Sequence, residues 1–157
     1  MSSPVNPESA AVQSYLNILQ GIITRMATNS ANCKTWCITL VSALIVLIAD
    51  KGKTNLIPIA LIPVLLFCFL DAYYLGQERA FREAYNEFVQ RLHAPTPAPN
   101  DSNALIPATS ADLFRVAPKR GFNVVNYTFS ALKSFAIYPF YLSLLAMLAI
   151  VYLFLPK

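Results

Sequence analysis

A chain of 157 residues has room for one soluble domain, but 56% hydrophobic residues against 13% charged excludes the composition from which such a domain is ordinarily built. The formal charge of +4 comes from bases scattered along the chain, which excludes the broad basic field of a nucleic-acid binder. One histidine and 4 glycines are too few for a His-metal set, a Gly-rich phosphate loop or a nucleophile elbow, so neither an enzyme nor a cofactor is expected.

The apolar residues are bunched into three blocks, 36–49, 56–70 and 135–155, and lipid is the solvent that such bunching implies. The expected fold is an all-α integral membrane protein: a two-span hairpin (33–49 and 55–75) with cytoplasmic helical extensions, and a third carboxyl-terminal span. No basic n-region or small-residue cleavage site opens the sequence, so no cleaved signal peptide is expected.

In chain order, Asn6-Pro7 reads as an N-cap followed by proline at the first helical position. Val12, Tyr15, Leu16, Leu19, Ile22, Ile23 and Met26 then form one apolar stripe on an amphipathic cytoplasmic helix over 7–31. The first span runs 33–49 if Lys34 snorkels toward the headgroups, with Trp36 at their level. A buried core helix is the alternative for that block. Cys33 and Cys37 share a helix face and could supply half a metal site, but nothing completes it; packing is the preferred role, and acylation of Cys33 stays open. Gly52 is the natural turn residue of the short connection to the second span.

The second apolar block and the charged segment after it read as one helix. The run 56–70, extended to Leu75, gives about 20 residues, enough at about 1.5 Å each for a hydrocarbon core about 30 Å thick. Pro63 lies inside it and should kink it, as a hinge or as a purely structural feature. Asp71 ends the run and has three candidate roles: marking the water boundary, joining a ring of carboxylates at a pore mouth if chains assemble, or reaching Arg25 or Lys34. Over 76–93, Glu78-Arg82 and Glu87-Arg91 are spaced for ion pairs, and Phe81, Ala84, Tyr85, Phe88 and Leu92 form a second stripe. Leu16, Leu19, Ile23, Phe81, Tyr85 and Phe88 are therefore the candidate assembly surface, each helix offering its stripe to the other. His93 caps the helix end.

Alternating prolines mark a linker over 94–109. Beyond it, Thr109 to Asp112 can cap a short turn, and the segment 110–134 is basic and amphipathic, with a stripe at Phe122, Val125, Phe129 and Leu132. Lys119 and Arg120 are candidates for lipid phosphate. The third span, 135–155, carries Pro139 early. Nine of the 12 bases, among them Arg25, Lys34, Arg79 and Lys119, fall on one side of this topology, which puts the amino terminus in the cytoplasm and the short turn outside.

The stretch from Val12 to Leu92 resembles the SLATT-type bacterial membrane modules. The likeness is carried by Ile22-Ile23-Thr24-Arg25-Met26-Ala27, by Lys34-Thr35-Trp36, and by Asp71-Ala72-Tyr73-Tyr74-Leu75 running into Glu78-Arg79-Ala80-Phe81-Arg82-Glu83-Ala84-Tyr85. The third span is a departure from the two-span pattern. The resemblance implies an oligomeric, pore-forming or membrane-perturbing effector of a bacterial conflict or antiphage system in the inner membrane, triggered by a separate cytoplasmic sensor or activating protein. A non-catalytic scaffold that recruits a cytoplasmic partner is the alternative.

Overall fold

The computed structural model describes residues 5–52, 56–95, 105–118 and 121–154. Among them it has four α-helices, α1 (Ala10–Lys51), α2 (Ile57–Leu92), α3 (Val124–Leu132) and α4 (Tyr138–Phe154), with a short 3-10 turn at Ser110–Phe114. The chain divides into two compact units. The first takes in Met1–Arg25 and Gln77–Phe122, and the second Met26–Gly76 and Asn123–Lys157.

Helix α1 begins later than the Asn6-Pro7 signature predicts. Asn6 instead folds its side chain onto the Glu8 amide in a turn, and Ser9 is the cap, its hydroxyl accepting from the Val12 N–H at 3.3 Å. The segments read separately as 7–31 and 33–49 are one uninterrupted helix of 42 residues, about 63 Å long. The polar stretch around 28–35 stays helical because its side chains find partners without breaking the backbone ladder. Thr35 donates to the Ala31 carbonyl and Thr39 to that of Thr35. Helix α1 ends where Gly52 takes a positive φ of 60°, a conformation that suits a residue without Cβ.

Helix α2 likewise runs unbroken through the second apolar block, Pro63 included, and into the charged segment. It ends with His93, whose amide bonds the Val89 carbonyl and whose Nδ1 lies 2.9 Å from the same oxygen.

In the first unit the two predicted stripes face each other. Val12, Tyr15, Leu19 and Phe88 are buried together with Ala108, and Leu16, Phe81, Tyr85 and Leu92 pack around them. Tyr15 and Phe88 meet edge to face with ring centroids 4.7 Å apart.

The second unit buries small side chains, Cys37, Ala60, Ala72 and Ala131, together with larger ones, Val41, Val64, Ile137, Tyr141, Leu144 and Leu148, whereas Val46, Ile62, Leu65, Phe69, Leu142 and Leu153 point outward. Helix α3 corrects the predicted stripe. Its buried residues are Thr128 and Ala131, and Val125 and Phe129 are exposed. The reason is the approach of Gly76, where an added Cβ would stand 3.1 Å from the Tyr127 backbone, so only the small face of α3 fits. In the most apolar windows of α1 and α2 only 22% and 28% of residues are buried, unlike the core helix of a soluble domain. Both helices are long and apolar enough to cross a membrane; α4, with 17 residues, reaches about 26 Å.

Truncating Phe88 removes the aromatic that closes the first unit. Phe88→Ala is expected to cost about 3–5 kcal/mol, read as a lower thermal midpoint in detergent, and an unchanged midpoint would show that the pair does not hold the unit together.

Candidate functional site

The second unit closes around one carboxylate. Asp71 stands where the apolar run ends, yet its side chain is 0% exposed, so it faces inward rather than marking a water boundary. Ser30 and Lys34, four apart and hence on one face of α1, converge on it. The Ser30 hydroxyl donates to Oδ1. The Lys34 ammonium lies 2.6 Å from Oδ2, as an ion pair rather than a well-formed hydrogen bond, and 3.5 Å from the Ser30 oxygen. Lys34 retains 25% exposure, so the pair is sealed on its acid side and reaches the surface on its basic side.

Helix α4 adds Tyr141, whose buried hydroxyl makes no well-formed hydrogen bond and has Asp71 as an electrostatic neighbour. Of the three roles open to Asp71, the contacts made are those of the Lys34 pairing. Pro63 sits one helix turn from Phe67 on the same seam, and its carbonyl accepts a weak contact from the Cys37 thiol at 4.0 Å. The three cysteines are free, and no group of three His, Cys, Asp or Glu side chains among the described residues could hold a metal.

This arrangement is conditional on both charges. Desolvating a carboxylate costs several kcal/mol, and the attraction offsets that only while the partner is in place.

The first unit has its own polar centre, which residue spacing does not reveal. Glu78 and Arg82 pair as their spacing predicts, at 2.7 Å, but Arg91 leaves Glu87 for Asp112. Its guanidinium takes both Asp112 oxygens, at 3.2 and 2.8 Å, while Nε donates to the Ile106 carbonyl at 3.0 Å. A planar fork fits a carboxylate in two places at once, a geometry that the intrahelical Glu87 does not offer. Asp112 also accepts from the Thr109 amide and hydroxyl, and the Ala108 amide donates to the Arg91 carbonyl. The segment 105–116 is thus strapped across the helix pair, and Tyr15 fastens it again through its hydroxyl to the Arg115 carbonyl at 2.9 Å.

Burial alone pushes the Asp112 carboxyl up, but the Thr109 amide, the Arg91 guanidinium and the Thr109 hydroxyl outweigh it and hold it below its ordinary value. Burial, then the negative charge of Asp112, pushes the Tyr15 phenol up, which keeps it a donor.

Of the candidate assembly surface, Leu19 and Phe88 are buried within the chain and Leu16, Phe81 and Tyr85 pack against them, so this surface is largely consumed by the molecule itself. Ile23 instead lines a recess of about 350 Å³ with Gln20, Thr24, Arg82, Tyr85 and Asn86. Lys119 and Arg120 lie outside the described residues.

Fold and site together define an all-α protein with two helices long and apolar enough to cross a membrane. No family model, no curated protein and no solved structure matches the chain significantly.

Each of these centres can be tested by breaking it. Lys34→Met strands a buried carboxylate and is expected to cost about 3 kcal/mol, the lower end of the range for broken buried pairs because Lys34 keeps some contact with water. The double variant Lys34→Met/Asp71→Leu is expected to recover most of that loss in thermal unfolding; no recovery would mean the two charges are not coupled. For Asp112, a folded pKa below the unfolded value of about 3.9 means its bonds stabilise fully above that value and are lost as pH falls through the folded pKa. Acidification below about pH 4, or Arg91→Ala at neutral pH, should therefore raise the intrinsic-rate-corrected hydrogen exchange of the Ala108 amide. Exchange indifferent to both would remove Arg91 and Asp112 as the fastening.

Proposed function

We propose that the protein is a multi-pass helical membrane protein of the bacterial inner membrane and that it acts there as an oligomeric, membrane-perturbing or pore-forming effector. In this reading α1, α2 and α4 supply three spans, and the amino terminus and the segment 77–122 lie in the cytoplasm. One observation carries it: the second unit leaves large apolar side chains such as Val46, Ile62, Leu65, Phe69 and Leu153 exposed while it buries the polar side chains of Asp71 and Ser30, which is stable where the surroundings are lipid. The placement of the bases supports the orientation. The SLATT-type likeness supports the effector role in a conflict or antiphage system. Helix α4 is short for a span, and local bilayer thinning accommodates such a mismatch at modest cost.

The mechanism rests on the pair at Asp71. A charge inside a bilayer persists while it is paired, and within one chain Lys34 neutralises Asp71 while Ser30 donates a hydrogen bond to it. An activating protein that draws α1 away from α2 would unseal the carboxylate, and neighbouring chains would then present it to a shared polar path.

A second reading, a non-conducting scaffold, is favoured by the recess bounded by Gln20, Ile23, Arg82 and Tyr85, which the internal pairing of the stripes leaves open. Conduction separates the two. Induced expression with the activating partner is expected to collapse the membrane potential, reported by a potential-sensitive dye, and Asp71→Asn at matched protein level should change the leak. Cells that hold their potential at every expression level, with or without that partner, would leave only the scaffold.

A further inference from the structure

Asp71 on α2 faces both α1 and α4, and only α1 supplies it with partners. Ser30 donates to Oδ1 and Lys34 stands against Oδ2. From α4 comes Tyr141, only 4% exposed, whose hydroxyl is buried without a hydrogen bond. Its electrostatic neighbours are Asp71 first, then the thiols of Cys37 and Cys68. Oδ2 of Asp71 likewise makes no well-formed hydrogen bond, so an unused donor and an underused acceptor share one buried site. A buried hydroxyl without a partner is destabilising, and phenylalanine would fill the same space without that penalty. The oxygen therefore calls for a use in another arrangement of the helices.

The placement of the partners says which arrangement. Ser30 and Lys34 both belong to α1, so one movement of that helix removes both from Asp71. A bare carboxylate in a buried site is the unfavourable outcome of such a movement. Tyr141 belongs to α4, whose buried face continues at helical spacing through Leu144 and Leu148 into one cluster with Ala60, Val64 and Ala72 of α2. That contact does not depend on α1. A phenol has one proton to give, and a hydrogen bond to a charged acceptor is among the stronger kinds.

We propose that Tyr141 is the second partner of Asp71: when α1 withdraws Ser30 and Lys34, the phenol donates to the carboxylate, keeps it ionised and holds it to α4. Helix α1 is then the moving arm, and α2 and α4 stay together. The inference rests on the effector mechanism above and adds a residue and a direction of movement to it.

A double-mutant cycle on the full-length protein in detergent tests it. Tyr141→Phe alone is expected to leave the thermal midpoint unchanged or slightly higher, because the hydroxyl has no bond to lose. In Lys34→Met, where Oδ2 has lost its cation, the same change is expected to lower the midpoint by about 5 °C more. The infrared C–O stretch of this phenol, isolated by subtracting the Tyr141→Phe spectrum, should move to the hydrogen-bond-donor position in Lys34→Met and not in the otherwise unchanged chain. Ser30→Ala, which removes only a neutral donor, repeats the cycle should Lys34→Met fail to fold, and coupling of the same sign is expected there. Equal losses in both backgrounds, a loss confined to the unchanged chain, or a phenol band that does not move overturns the handover. That failure leaves the effector reading standing, because the membrane-potential measurement decides it separately. Coupling in cells that hold their potential would keep the handover and sink the effector.

Discussion

A carboxylate withdrawn from water has to be compensated, and the second unit is organised by how that is done for Asp71. Two groups on one face of α1 answer it, Ser30 with a hydroxyl and Lys34 with a charge, so that α1 and α2 are held in register by more than packing. Apolar contacts along Cys37, Val41, Ala60 and Val64 tolerate small slips, whereas an ion pair with one buried end does not. The close seat of α3 against Gly76, a short way along α2 from Asp71, serves the same end by letting backbones approach. Whatever moves α1 against α2 must therefore first deal with an unmatched charge.

The first unit solves a different problem in a different way. Its helix pair offers a short apolar seam, and a short seam alone is marginal. The returning strap closes it with a bidentate ion pair, an acceptor on Ile106 and the phenol of Tyr15. Both pairs keep a partly exposed base, Lys34 at 25% and Arg91 at 18%, and they differ at the acid: Asp71 is fully buried and Asp112 keeps 15% exposure, so release of Asp112 strands less buried charge.

Much of this was legible in the sequence because periodicity is a local property. The facing stripes on α1 and α2, the short cap at Thr109 and Asp112, and the turn at Gly52 all derive from residue spacing alone. What escaped depends on contacts between distant residues. Arg91 satisfied the rule for a pair with Glu87, and only the fold brings it the better-shaped partner at Asp112. The stripe on α3 failed for a related reason: apolar periodicity names the buried face when water is outside, but a close neighbour such as Gly76 selects small residues instead. Likewise the polar run near Ser30 resembled a boundary, because nothing local reveals that its hydroxyls and ammonium are already engaged. The inward turn of Asp71 was one of three open choices, and only the position of Lys34 decides among them.

The thiols give this arrangement an outlet of another sort. Cys33 and Cys37 come three and seven residues after Ser30, so they lie on the helix face that meets the carboxylate, and both are buried. Any separation of α1 from α2 there must uncover sulfur. Breathing of the seam is thereby recorded as a rate of alkylation, and the molecule carries its own clock for an event that leaves no other covalent trace.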